Sequence, residues 1–282
     1  MSIEPGSLYV VATPIGNLDD LSRRAVRCLG SVALIAAEDT RRTRQLLVHV
    51  GIDRPLLSLH DHNERSRVDQ LIARLEAGDS IALVSDAGTP LVSDPGYPLV
   101  RALAQRGFRI VPIPGACSII AALSAAGLPT DRFLYDGFLP SRPTARRQHL
   151  QDLSRQTCTV VLLETARRIR SSLADMEAIF GEDREAVLAR ELTKLHEEFL
   201  RGSIRDLRAL LESEPQRCRG EFVVLVRGAA VSAVGGEDVA ELMAALLDEL
   251  PASRAAAVAA RVTSRRRSEL YRLGLELSNG KP

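Results

Sequence analysis

The sequence contains no tryptophan, and aromatic residues fill only 4% of its 282 positions. An extended platform for stacking bases is therefore not expected to dominate any nucleic-acid contact. Lysine is nearly as scarce: Lys194 and Lys281 are the only two, so arginine carries almost all of the 37 basic charges. A GC-rich genome produces the same imbalance, and guanidiniums forking onto phosphates gain meaning only where arginines cluster. Cys28, Cys117, Cys158 and Cys218 form neither a CxxC pair nor a Cys/His cluster, which argues against a disulfide framework or a Cys-ligated metal. No apolar run approaches the roughly 20 residues that cross a bilayer. Glu4 and Pro5 stand where a secretory signal needs a basic segment leading into an apolar one. A soluble cytoplasmic protein is expected, with no membrane partner and no metal.

What is present is ordinary globular composition, 45% hydrophobic and 26% charged, with enough chain for about two domains and a sizeable core. Apolar β-branched runs alternate with helical periodicity, the signature of a layered α/β protein. Strands are expected at Leu8–Ala12, Val32–Ala37, Ile81–Ser85, Arg109–Ile113, Thr159–Leu163, Ala186–Ala189 and Glu221–Val226. Asn63 stands as the cap of a helix carrying Val68, Leu71, Ile72 and Leu75, ended by Gly78. Asp94-Pro95 reads as a cap and first-turn proline feeding Leu99, Val100 and Leu103. Texture changes near Leu128-Pro129-Thr130-Asp131, and Gly228–Gly236 looks like a linker. The expected organisation is an α/β domain over 1–127, a second over 128–230, and a basic helical domain over 237–282.

Three loops at strand ends are candidates for chemistry. Thr13-Pro14-Ile15-Gly16-Asn17-Leu18 follows the first strand, but lacks the GxGxxG turn of a dinucleotide site, and no Walker loop is present. Ser85 to Gly96 packs small residues, turn residues and the carboxylates Asp86 and Asp94 before a helix. Ligands of open α/β sheets bind outside the carboxyl ends of the strands, so a pocket belongs here; a plain capped turn is the other reading. Pro114-Gly115-Ala116-Cys117-Ser118 again leads from a strand into an Ala-rich helix.

Together with Ala37-Glu38-Asp39-Thr40-Arg41, His60-Asp61-His62-Asn63-Glu64 and Ala189-Arg190-Glu191-Leu192-Thr193-Lys194, these loops resemble the tetrapyrrole-methylase superfamily. The Glu38 and His60 blocks are more specifically similar to its ribosomal-RNA branch, which methylates a cytidine 2′-oxygen in 16S rRNA of the small ribosomal subunit. The resemblance spans about residues 7 to 228 and weakens into the helical tail. It implies two α/β domains of this type with a cleft between them, a homodimer, and S-adenosyl-L-methionine in the cleft. It places cofactor contacts at Ile15, Asp86, Ala87, Gly88, Thr89, Val92, Cys117, Ser118, Leu163, Glu164, Leu192 and Glu221. Leu163 and Arg167 depart from the family, which has an aromatic and a histidine there, and Ala116 replaces a proline.

A ribose hydroxyl is a poor nucleophile, so alignment and a nearby base or positive group are expected. With two lysines, one of them penultimate, the Lys-Asp-Lys-Glu tetrad of some 2′-O-methyltransferases is not expected. Glu38, Asp39, Arg41, His60 and Lys194 remain as acceptor-side candidates, with helix capping the alternative role of Glu38-Asp39. His60 and His62 lack further ligands for a metal. Arg142, Arg146, Arg147, Arg155, Arg167, Arg168 and Arg170 form one basic stretch, and Arg265, Arg266 and Arg267 open the last helix. Both suit phosphate contacts, as they suit a merely solvated surface. In the tail, Val258 and Val262 and then Leu270, Leu273 and Leu277 mark one apolar face per helix. The pair resembles the family's RNA-docking extension. A tetrapyrrole C-methylase and a non-catalytic RNA-binding assembly factor are the competing functions.

Overall fold

The computed structural model describes residues 3–60, 63–230, 236–263 and 265–279. They fall into two compact units, Met1–Gly228 and Ala229–Pro282. The first unit holds two five-stranded sheets. In the first, β1 (Ser7–Val11), β2 (Leu34–Ala37), β3 (Leu56–Ser58), β4 (Ile81–Val84) and β5 (Arg109–Ile113) lie in the order β3-β2-β4-β1-β5, all parallel.

Parallel neighbours need crossover helices, and right-handed crossovers sort these helices by direction of travel. Chain movement from β1 to β2 to β3 puts α1 (Arg23–Ser31) and α2 (Thr40–His49) on one face. There Ala25, Cys28, Leu29 and Leu47 meet Tyr9, Ile35 and Val84. The return places α3 (Glu64–Glu76) and α4 (Tyr97–Gln105) on the other face, where Leu71, Leu75, Leu99 and Leu103 meet Leu8, Leu34 and Leu83. The two-residue alternation along each strand supplies both cores at once. Burial pushes the Cys28 thiol up to about 11, the state of an inert core cysteine.

The next helix, α5 (Ser118–Ala126), leaves the first sheet and packs on the second, burying Ile119, Ala122, Leu123 and Ala126 against Val161, Val187, Val223 and Leu225. That sheet contains β6 (Phe133–Phe138), β7 (Thr159–Thr165), β8 (Glu185–Arg190), β9 (Glu198–Ser203) and β10 (Glu221–Val226), ordered β6-β7-β10-β8-β9. Only β6 and β7 pair in parallel. Its other face is covered by α6 (Pro143–Leu153), α7 (Ile169–Phe180) and α8 (Ile204–Ser213). The second unit contains α9 (Gly236–Glu249), α10 (Ala252–Val262) and α11 (Arg267–Asn279) around Val239, Met243, Ala255, Ala259 and Leu270. Among the described residues no helix is long and apolar enough to cross a membrane.

Several local expectations need correction. Strands β3, β6 and β9 were not foreseen: β3 has three residues, and β9 is an edge strand reading Glu-Phe-Leu-Arg-Gly-Ser. Asp94 does not cap α4, which begins at Tyr97 behind Gly96, at φ +128°. A Cβ at Gly96 would lie 2.8 Å from Leu83 Cδ2, so the chain turns into the helix where only glycine fits. Asn63 makes no side-chain cap on α3. Its amide is spent on the preceding loop, accepting from the His60 N–H at 2.9 Å and donating to the Ser58 carbonyl at 3.2 Å. In α10 the buried face is alanine, and Val262 is 69% exposed with Val258 also outward.

The centre of the expected basic stretch is an ion cluster. Arg146 has a side chain only 5% exposed, and its guanidinium lies 2.6 Å from Asp175; Arg147 reaches the same carboxylate at 2.7 Å. Burial alone would push the Asp175 carboxyl up, but hydrogen bonds from Arg147 and Arg146 outweigh it and hold the group below its ordinary 3.8. A carboxyl so lowered stabilises the fold above pH 3.8, and the contribution is lost as pH falls further. Asp175→Asn leaves Arg146 buried without a counter-charge and should cost about 3–5 kcal/mol at pH 7. In urea unfolding, the gap from the wild type should close as acid protonates the native carboxyl; a gap independent of pH would contradict this.

Candidate functional site

A cavity of about 270 Å³ in the first unit lies where α5 joins the two sheets, near the small end of ligand pockets, ~300–1,000 Å³. Ile15 comes to it from the β1–α1 loop, Ala87, Gly88, Thr89 and Val92 from the β4–α4 loop, and Cys117 and Ser118 from the start of α5. Leu163 and Glu164 come from β7, Leu192 from the turn after β8, and Glu221 from the start of β10. Every residue expected to touch the cofactor thus lines this one cavity except Asp86.

The first-sheet side is shaped by backbone. Thr13 and Gly88 exchange two hydrogen bonds of 2.8 and 3.0 Å, zipping the β1–α1 loop to the β4–α4 loop. Gly88 takes φ +80°, and a Cβ there would sit 3.3 Å from Ile15 Cγ2, so glycine is required both sterically and conformationally. The Thr89 hydroxyl donates to the Ala116 carbonyl at 3.2 Å and ties in the third loop. Gly115 lets that loop press on Ala12, whose Cβ would be 3.0 Å from an added Cβ. No side chain caps α5, so its first-turn N–H groups are available where the cavity wall is formed by Cys117, Ser118 and Ile119. Leu91 and Ser93, at φ +72° and +64°, carry the chain past the opening.

The second-sheet side contains residues that sequence reasoning passed over. Tyr135, Phe138, Thr165, Ala189, Phe222 and Val223 line the cavity. Tyr135 and Phe138 lie on the unforeseen β6, whose register shifts between Tyr135 and Gly137; two aromatics flanking a glycine were the available signal. Burial pushes the Tyr135 phenol up, against a hydrogen bond with the Ser93 hydroxyl. It therefore remains a neutral hydroxyl near neutral pH. The Glu164 carboxylate is already occupied, by the Thr165 N–H at 2.7 Å, Arg168 at 2.8 Å and the Ser172 hydroxyl at 2.6 Å. It braces the wall.

Lys194 is tied to the cavity-lining Glu221. Its ammonium sits 2.9 Å from both Glu191 and Glu221, while Glu191 also accepts the Glu221 N–H at 3.0 Å. Two glycines make room: a Cβ on Gly16 would lie 2.4 Å from Lys194 Cγ, and one on Gly220 would lie 2.4 Å from the Glu191 side chain. Glu191 and Thr193 take φ +49° and +63°. Burial opposes charge on both partners, yet their mutual hydrogen bonds hold Glu191 below and Lys194 above their ordinary values. Lys194 is thus a fixed cation at neutral pH.

The other acceptor-side candidates are not gathered. Asp39 caps α2 by accepting the Arg41 N–H at 2.8 Å and grips the exposed Arg41 guanidinium at 3.1 Å. Hydrogen bonds from Arg41 hold its carboxyl low. Glu38 accepts the Asp86 N–H at 3.2 Å, and Asp86 accepts the Asp39 N–H at 2.9 Å and pairs with Arg42 at 3.2 Å. The Asp86 carboxylate therefore faces away from the large cavity, into a second one of about 240 Å³ bounded by Thr13, Arg42 and Thr43. His60 lines neither cavity, its Nε2 lying 3.2 Å from the Asn63 amide. His62 lies outside the described residues, as does Lys281. No group of three or more metal-ligating side chains occurs among the described residues. Arg146 is buried on Asp175, so only Arg147 of that pair offers surface. Arg265, Arg266 and Arg267 are exposed in the helical unit.

Gly88→Val adds a branched side chain at a left-handed position costing ~1–2 kcal/mol and fills the space beside Ile15. It should weaken binding of S-adenosylhomocysteine at least tenfold by calorimetry, with the far-ultraviolet circular dichroism unchanged. Undiminished binding would remove this loop from the site.

Residues 7–208 match the tetrapyrrole (corrin/porphyrin) methylases, and residues 233–278 match the RsmI C-terminal HTH domain. The chain is 50% identical to the ribosomal RNA small subunit methyltransferase I of Xylella fastidiosa (strain Temecula1) over 95% of this chain and 98% of that one. It is 48% identical to the protein of the same name from Pseudomonas aeruginosa (strain PAO1), over 96% and 97%. Among solved structures, the cobalamin biosynthetic enzyme cobalt precorrin-4 methyltransferase superposes with a TM-score of 0.59 at 18% identity, over 79% of this chain and 95% of that one. That likeness is one of fold. The fold, the matched segments and the full-length relatives agree: the chain belongs to the tetrapyrrole methylase family and, within it, to the ribosomal RNA small subunit methyltransferase I group.

Proposed function

We propose that the protein transfers a methyl group from S-adenosylmethionine to the ribose 2′-oxygen of a cytidine in 16S rRNA of the small ribosomal subunit, in the cytoplasm and as a homodimer. The observation that carries this reading is the likeness over nearly the whole chain, helical tail included, to proteins named for that RNA. The tetrapyrrole alternative rests on likeness of fold.

The cavity fits such a cofactor. Uncapped N–H groups at the start of α5 suit a carboxylate, Ile15, Leu163 and Leu192 offer apolar walls for a flat base, and Glu221 offers an acceptor at the rim. The cofactor supplies an electrophilic methyl on a sulfonium, so the chain has no donor to activate. Its residues must bind, orient and exclude water, which lowers a barrier by holding an acceptor oxygen in line. Lys194 is held as an ammonium by Glu191 and Glu221, so its part at the rim is that of a positive charge and donor, and it does not serve as a base. Exposed apolar side chains at Tyr97, Phe133 and Leu195 supply surface for a second copy. The assay is purified protein with labelled S-adenosylmethionine and small subunits lacking the modification, followed by mapping. Label on a cytidine 2′-oxygen is expected; label only on a precorrin-type macrocycle would overturn the reading.

The helical unit extends the reading to RNA docking. Its three adjacent arginines are exposed at the entry to α11, and alanine packing of α10 against α11 keeps the pair compact. Removing residues 237–282 should leave S-adenosylhomocysteine binding intact and weaken subunit binding, increasingly as salt rises. Unchanged methylation across salt would show that the unit plays no part in RNA binding.

A further inference from the structure

Between residues 21 and 54 lie seven arginines against three acidic residues, a density that neither the cavity nor the helical unit uses. Both helices in this segment bury their apolar sides in one cluster on one face of the first sheet. Their outer sides therefore turn to the same solvent. Arg23, Arg27, Arg41, Arg42 and Arg44 are all exposed there. Asp39 and Asp86 are paired with Arg41 and Arg42. Arg23, Arg27 and Arg44 make no ion pair among the described residues.

Helix-end electrostatics do not call for Arg23. It stands in the first turn of α1, which has no acidic residue, and a cation there opposes the helix dipole. The same arrangement raises the positive potential at the edge of the sheet where the strand-end loops gather. The second cavity, bounded by Arg42, Thr43 and Asp86, opens there, and Thr13 with Asp86 leads directly into the loops that wall the large cavity. Exposed guanidiniums on two helices of one sheet face, with Arg42 bordering the second cavity, suit a chain of phosphates.

We propose that the α1–α2 face binds the phosphates of the RNA strand flanking the acceptor nucleotide, and so delivers that nucleotide to the mouth of the large cavity. This rests on the RNA reading above, and identifies which surface of the catalytic unit holds the strand. Guanidiniums suit the task because they fork onto phosphate oxygens. The scarcity of aromatics agrees with a backbone grip.

The test uses the full-length protein and small ribosomal subunits. Arg27→Glu/Arg44→Glu is compared with Arg101→Glu/Arg106→Glu, which carries the same charge change on α4 and its C-cap across the sheet. The first variant should bind subunits at least tenfold more weakly at 0.1 M salt and lose methyl transfer in proportion. Its plot of log affinity against log salt should be shallower by about 1.4, from two contacts at ~0.7 each on a single strand. Its binding of S-adenosylhomocysteine should match the wild type, which guards against misfolding. Wild-type behaviour of this variant, or an equal loss in the α4 variant, overturns the proposal while the RNA reading stands. A wild-type protein that neither binds nor methylates subunits overturns both.

Discussion

The two hydrogen bonds between Thr13 and Gly88 decide where ligands can go. They pull the loops of two neighbouring strands together at the carboxyl edge of the first sheet, and so divide the space there. Ile15, Ala87 and Gly88 face the large cavity, while Pro14, Ser85 and Asp86 face the smaller one. The backbone makes this division, and it requires a glycine at φ +80° on one side. Thr89 and Gly115 extend the clamp to the loop before α5, and α5 then carries it to the second sheet.

This division explains which parts of the site were legible. Strand-end loops rich in small residues announce themselves by composition, and the family resemblance numbered their contacts, so one wall could be written from the sequence. Asp86 was assigned to the same wall because loop position does not say which way a carboxylate turns. The N–H of Asp39 and the guanidinium of Arg42 draw it to the other side. The opposite wall was less legible. Tyr135 and Phe138 belong to a short strand whose pairing depends on Thr159–Leu163, contacts made only after folding. Glu164 illustrates a further limit: its place was expected, yet Arg168, Ser172 and the Thr165 N–H occupy its carboxylate.

Arginine shows the same limit on a larger scale. Sequence clustering pointed to 142–170, but there Arg146 is sealed on Asp175, Arg168 is bound to Glu164 and the Leu139 carbonyl, and Arg170 donates to the Leu211 carbonyl. These guanidiniums hold elements together. Arg142, Arg155 and Arg167 of that stretch stay exposed, as do Arg23, Arg27 and Arg44 on α1 and α2, whose apolar residues fill the sheet face. Charge density along a chain says how many guanidiniums exist; only packing says which are spent.

The cavity and the charged surfaces draw on different parts of the chain. The large cavity is built from backbone hydrogen bonds, glycines and a helix start. Features suited to a polyanion lie elsewhere: on the outer sides of α1 and α2, and in a separate helical unit beyond residue 228. Neither contributes to the apolar cores that hold the sheets, so surface charge can change without disturbing the cavity. Lys194 belongs to the first kind of feature. It is fixed by Glu191 and Glu221 in a backbone held at positive φ, with room cleared at Gly16 and Gly220. Two ion pairs and a strained turn hold that cation in place, whereas Arg23, Arg27 and Arg44 stand in solvent without an ion pair among the described residues.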